Sequence, residues 1–129
     1  MKVVTLPPEV TSPAAARQIV REAVADLGAE ICNTIVLMTS ELVGNVVRHA
    51  NTEVRVSIDA GPPVRVEVHD HVAATDAFRE MISTRPGPAA IHAEGGRGLT
   101  VVHDLASRIG LDDDPLGGKV VWFEVDIPE

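Results

Sequence analysis

Aromatic residues are scarce in this chain of 129: two Phe, one Trp and no Tyr. Proteins that hold single-stranded nucleic acid stack bases on aromatic rings, and three rings are too few for such a surface. Positive charge is also short. Eleven Lys and Arg stand against 19 Asp and Glu, a formal net charge of -8, and an acidic chain is repelled by phosphate backbones and by anionic lipid. Direct nucleic-acid and membrane partners are therefore not expected, and protein or small-molecule partners are. The single cysteine, Cys32, cannot form an internal disulfide, and no Cys/His spacing suggests zinc; a small buried hydrophobe is the expectation. No run approaches the roughly 20 apolar residues of a membrane span. The opening MKVVTLPPEV carries one Lys and a short apolar run ended by Pro7 and Pro8, too little for a signal peptide, so a soluble cytoplasmic protein is expected.

What is present is aliphatic. With 45% apolar residues the chain has enough Val, Ile, Leu and Ala for a single core, and one domain over 1–129 is the expectation. KVVTL (2–6) reads as a short strand closed by the Pro pair. Ser12 followed by Pro13 reads as an N-cap and first helical residue. Ala16, Ile19, Val20, Ala23, Val24 and Leu27 then recur at helical spacing up to Gly28. Residues 31–50 make a longer helix, with Ile31, Ile35, Met38, Leu42 and Val46 along one face and Val36, Val43 and Val47 widening the stripe, so much of it should be buried.

The period then changes to two. EVRVSIDA (53–60) and VRVEVHD (64–70), joined by Gly61, Pro62 and Pro63, read as a hairpin with one face buried. From His71 to Glu94 no period is sustained, although DAFREMI can form a helical turn; a weakly patterned stretch of this length in a small domain points to a functional loop. After GGRG (95–98), Leu99, Val102, Leu105, Ala106 and Ile109 form a third helical stripe. Two strands close the chain, near 108–112 and in GKVVWFEVDI (118–127), with DDDPLGG as the turn. Helices and hairpins in this order predict an α+β two-layer sandwich, with one mixed, largely antiparallel sheet and helices on one face. The other face should be wet or bind a partner.

Chemistry can sit in three places. Glu41, Asn45 and Arg48 are spaced by four and seven, which stacks them on one narrow helix face at the margin of the apolar stripe. A carboxylate, an amide and a guanidinium there can orient a hydroxyl, hold a metal and touch a phosphate; a magnesium ion in a nucleotide site needs few protein oxygens. An ordinary charged face with a Glu41–Arg48 attraction is the plain alternative. Asp70 shares the inward parity of Val64, Val66 and Val68, where a carboxylate is costly unless hydrogen-bonded. The exocyclic amine of adenine is a fitting donor, and turn backbone amides are the plain alternative. Gly95, Gly96 and Gly98 let backbone N–H groups approach a ligand at a helix start, with Arg97 adding charge. No Lys-Ser/Thr follows, so this is not a Walker A loop, and the stretch does not complete GxGxxG; a simple Gly-rich helix start is the alternative.

In this order, SELVGNVVRHA, VEVHD and GGRGLTVVHDLASRIG resemble the N, G1 and G2 boxes of the GHKL (histidine-kinase-like) ATPase superfamily. They look most like the bacterial anti-sigma-factor serine/threonine kinases of the RsbW and SpoIIAB type, and GGKVVWFEV resembles that family's last strand. The resemblance covers nearly the whole chain from about residue 12 and implies a Bergerat-type ATP-binding fold. It implies that Glu41 is the general base or water-orienting residue and Asn45 the ligand of Mg²⁺, and that Asp70 binds the adenine amine. Gly96, Arg97, Gly98 and Leu99 would hold phosphates, Arg48 and His49 would be further binding candidates from the same helix as Glu41, and residues 71–94 would form the ATP lid. The implied partners are a sigma factor, a phosphorylated anti-sigma factor antagonist and a second copy in a homodimer.

The sequence also departs from that pattern. The family's G1 box commonly continues Asp-x-Gly-x-Gly, whereas Asp70 is followed by His71, Val72, Ala73 and Ala74, which implies a stiffer lid hinge and weaker ATP binding. A threonine frequent in the last strand would align near Val120, removing a hydroxyl that supports Asp70. A non-catalytic partner-switching module on the same fold is the rival reading. A sensor histidine kinase fragment is a distant third, because no helix pair carrying a phosphoacceptor His precedes the ATPase region.

Overall fold

The structure, a computed structural model, describes residues 1–85 and 96–128. In chain order it runs β1 (Lys2–Leu6), α1 (Ser12–Ala23), a 3₁₀ turn (Ala25–Leu27), α2 (Ala29–Asn45) ending in a π-turn (Val46–Ala50), β2 (Val54–Asp59) and β3 (Val64–Asp70). Then follow α3 (Asp76–Ser83), α4 (Gly96–Leu105), β4 (Arg108–Asp113) and β5 (Lys119–Val125). The strands form one sheet in the order β1-β2-β3-β5-β4. Every pairing is antiparallel, so the largely antiparallel sheet expected from the hairpins is antiparallel throughout.

The period-two pattern decides which face is dry. Val54, Val56 and Ile58 of β2, Val64, Val66 and Val68 of β3, and Val121, Phe123 and Val125 of β5 are buried, and α1 and α2 cover them with Ala16, Val20, Ile35, Met38, Leu42 and Val43. Phe123 is fully buried at the centre, and each such side chain contributes about 1.5–3 kcal/mol by leaving water. Cys32 is buried, as its composition class suggests. Three boundaries differ from the sequence pattern. Ser12 lies inside α1 and donates its hydroxyl to the Pro7 carbonyl at 2.6 Å instead of capping the helix. α4 stops at Leu105, so Ile109 belongs to β4 and not to the helical stripe. DAFREMI, extended by Ser83, forms α3 and not a single turn, and the Thr75 hydroxyl accepts from Phe78 N–H and caps its start.

The opposite sheet face carries charge. Arg65 donates to Glu67 (2.9 Å) and Glu124 (3.1 Å) while its guanidinium lies 4.2 Å over the Trp122 ring, and Arg108 pairs with Glu124 (2.7 Å) and Asp126. The Trp122 ring lies flat across Gly110, where any Cβ would collide with it. His69, on the same face, meets Asp114 at 2.7 Å. Hydrogen bonds from Arg108 and then Arg65 hold the Glu124 carboxyl below its usual range, Arg108 does the same to Asp126, and the Leu116 N–H and then His69 do so to Asp114.

Depressed carboxyl groups bind fewer protons folded than unfolded. Their stabilisation is present above the unfolded carboxyl range and lost as pH falls through the folded values. Thermal melts should therefore show Tm level from pH 7 to 5 and falling below about pH 4. Glu124→Gln should flatten that fall, and an unchanged slope in the variant would exclude Glu124 as its source.

Candidate nucleotide site

The helical period brings Glu41 and Asn45 to the side of α2 that meets α4. A Cβ built on Gly98 would stand 3.0 Å from Glu41 Oε2, 3.3 Å from Asn45 Nδ2 and 3.4 Å from Asn45 Oδ1. Gly98 lies inside the first turn of α4, and a side chain there would have to push the ends of the Glu41 and Asn45 side chains aside by a few tenths of an ångström. Gly96 and Arg97 share that turn, whose N–H groups have no carbonyl of their own helix to bond, and Arg97 is exposed. Gly95 lies outside the described residues. Among the described residues Glu41 has no hydrogen-bond or ion-pair partner. Arg48 turns to Asn45 and not to Glu41: its Nη2 donates to Asn45 Oδ1 at 3.0 Å.

One turn further along α2 the site deepens into a cavity of about 470 Å³. Leu42, Asn45, Val46, His49 and Ala50 form one wall, Val68 and Asp70 of β3 with Lys119 and Val121 of β5 form the floor, and Leu99 of α4 closes one end. The remaining wall is Ala73, Thr75, Ala77, Phe78 and Met81, from α3 and the residues before it. α3 is fastened over the opening by Arg79 to Asp113 (2.5 Å), Arg85 to Asp104 (2.6 Å) and His103 to the Met81 carbonyl (2.8 Å). Asn45, Asp70 and Leu99 thus face one space, with Gly98 against Asn45. Of the span expected as a lid, 71–85 is described and 86–94 is not.

Asp70 points inward as its parity requires and is 2% exposed. Its Oδ1 accepts from the Val72 N–H at 2.8 Å, which is the turn contact foreseen as the plain alternative. The sequence reading missed its other partner. Lys119 Nζ lies 2.9 Å from Asp70 Oδ2 and 3.1 Å from Oδ1, and also donates to the Val72 carbonyl at 3.1 Å. Antiparallel register pairs Asp70 with Lys119 across β3 and β5, so both side chains point into the same layer. Gly118, at φ +93°, presses so closely on the Asp70 carbonyl that no Cβ fits between them. Val120 pairs with His69 on the charged face, so support for Asp70 comes from the position before it. β3 and β5 are separated in the chain by α3, α4 and β4, so no local pattern pairs Asp70 with Lys119.

A magnesium ion fits the donors present. It takes hard oxygens, keeps most of its waters and needs one or two protein ligands beside phosphate. Asn45 Oδ1 retains a second lone pair beside the Arg48 bond, and the Glu41 carboxylate is within the same junction. No group of three or more acidic, His or Cys side chains that would hold a metal unaided occurs among the described residues. Nor is any described helix long and apolar enough to cross a membrane.

Residues 6–124 match the family described as "Histidine kinase-like ATPase domain". Among solved structures, the RsbU and RsbW domains of Rv1364c from Mycobacterium tuberculosis superpose with a TM-score of 0.61 at 17% identity, over 98% of this chain. That likeness is one of fold, and this chain spans 33% of the solved one. No curated protein matches the sequence.

Proposed function

This chain belongs to the histidine kinase-like ATPase domain family, and on that footing we propose that it is an ATP- and Mg²⁺-dependent anti-sigma regulatory factor. In this reading it phosphorylates an anti-sigma factor antagonist on Ser or Thr, binds a sigma factor in exchange, and acts as a homodimer. The observation that supports it most is the junction of Glu41, Asn45 and Gly98 at the mouth of a cavity whose floor is Asp70. The neighbour titled as an RsbW domain adds a fold-level analogy to partner switching.

Each residue has a task that its placement permits. Asp70 accepts from the adenine amine, and Leu42, Val68, Val121 and Leu99 enclose the ring in apolar surface. The N–H groups of Gly96, Arg97 and Gly98 face phosphate at the positive end of α4, with Arg97 and Arg48 adding charge. Asn45 would hold the magnesium ion, which when bound neutralises phosphate charge. Glu41, without a hydrogen-bond or ion-pair partner among the described residues, orients the acceptor hydroxyl and takes its proton. The segment 71–94, which includes α3, acts as the lid.

The non-catalytic alternative has its own observation: both polar anchors are already occupied, Asp70 by Lys119 and Asn45 by Arg48. Calorimetry separates the two. Saturable binding of Mg-ATP that loses its Mg²⁺ dependence in Asn45→Ala is expected; no heat at millimolar Mg-ATP would leave only the protein-binding module.

A further inference from the structure

Lys119 is a buried cation to which the scheme above gives no task. It is 8% exposed, it lies on the cavity floor beside Asp70, and its ammonium stands 5.1 Å from the centre of the Phe78 ring in the opposite wall. Lysine is almost never buried unless paired, and a buried ion pair contributes little net stability compared with apolar residues filling the same volume. Stability alone is therefore a poor reason for Lys119 at this position. Recognition is a better one, because the pair sets a donor-only group beside an acceptor-only group on the floor of a cavity large enough for a nucleobase.

We propose that Lys119 is a second reader of the nucleobase, donating to the ring nitrogen N1 of adenine while Asp70 accepts from the adjacent exocyclic amine. The proposal rests on the nucleotide-site reading and deepens it. Hydrogen-bond capacity allows it. An ionised carboxylate accepts about four bonds; Asp70 accepts from Val72 N–H and from Lys119 at Oδ1, while Oδ2 faces the ammonium at 2.9 Å as an ion pair and keeps its lone pairs for the amine. The ammonium has three donors, one bonded to Asp70 Oδ1 and one to the Val72 carbonyl, which leaves the third for the base.

The adenine edge presents a donor and then an acceptor, which complements acceptor Asp70 and donor Lys119. In the same pose guanine presents O6 to Asp70 and N1–H to Lys119, and both contacts fail. The base preference would thus be written by two charges, with Lys119 supplying the half that distinguishes N1 from N1–H.

The test compares ATP with 1-deaza-ATP, which keeps the amine and replaces N1 by C–H. A site built to hydrogen-bond a ligand atom rejects the analogue that lacks it. Calorimetry on the wild-type protein should give a Kd for 1-deaza-ATP about tenfold or more weaker than for ATP, the scale of a hydrogen bond to a charged group. In Lys119→Met, which keeps the length and apolar bulk of the side chain, the two Kd values should converge, with a thermal melt verifying the fold. Equal Kd values in the wild type overturn the proposal without any variant, and leave the nucleotide site standing. A ratio that persists in Lys119→Met overturns it too, since another group would then be reading N1. No saturable binding of ATP at all would remove both this proposal and the nucleotide reading beneath it.

Discussion

Asp70→Asn is expected to destabilise the protein by about 3–5 kcal/mol, because it leaves the Lys119 ammonium buried without its counter-charge. The 2.9 Å contact lies between two side chains that water barely reaches, 2% and 8% exposed as residues, so solvent cannot replace the lost partner. Lys119→Met should cost a similar amount by stranding the carboxylate. The two losses should not add: with both charges gone, Asp70→Asn/Lys119→Met has only neutral groups to bury and should recover most of the stability. Urea unfolding of the four proteins gives the coupling directly. Simple additivity would mean that the pair opens to water in solution, and the picture of a dry, charged cavity floor would fall with it. The single variants also lie on the floor of the proposed nucleotide cavity, so any loss of nucleotide affinity they show must be measured well below their melting temperatures.

The second large effect is expected at Glu41. Glu41→Ala should lower phosphoryl transfer by about 10²- to 10⁴-fold, the usual contribution of a positioned general base, while the Kd for Mg-ATP changes by no more than a few-fold. The separation follows from placement. Glu41 lies at the α2–α4 junction beside Gly98, whereas Asn45, Asp70, Leu99 and the apolar walls line the cavity without it. Removing a carboxylate that has no partner among the described residues breaks no hydrogen bond there. ADP formation measured with and without candidate acceptor proteins reads the first quantity, and calorimetry the second. Loss of binding with turnover per bound nucleotide unchanged would make Glu41 a packing residue and not a catalyst.

Much of this architecture could be read directly from the residues. The alternation in VRVEVHD places Asp70 inward with Val64, Val66 and Val68, and it is found there. The spacing of Glu41 and Asn45 places both on one face of α2, and both reach Gly98. Such features are local: a helix or strand repeats every few residues, so a short window contains the whole rule. Helix boundaries were less legible. Ser12 has the sequence of a cap yet turns to Pro7, because the turn after the Pro pair, closed by Glu9 N–H on the Pro7 carbonyl, brings that carbonyl within 2.6 Å of its hydroxyl. The glycines of GGRG read as a phosphate-facing helix start, and what the sequence did not reveal is that Gly98 also lies beside Glu41 and Asn45 of α2, more than fifty positions earlier in the chain.

The sequence by itself determined the elements, the face each strand turns to the core, and the candidate residues Glu41, Asn45 and Asp70. Only the tertiary structure decided that the sheet runs β1-β2-β3-β5-β4, that Lys119 answers Asp70 across 49 positions, and that α3 walls the cavity. The physical reason is that periodicity acts along the chain and register acts across it. Which residue stands opposite a buried charge depends on how two distant strands align, and no window of neighbouring residues contains that alignment.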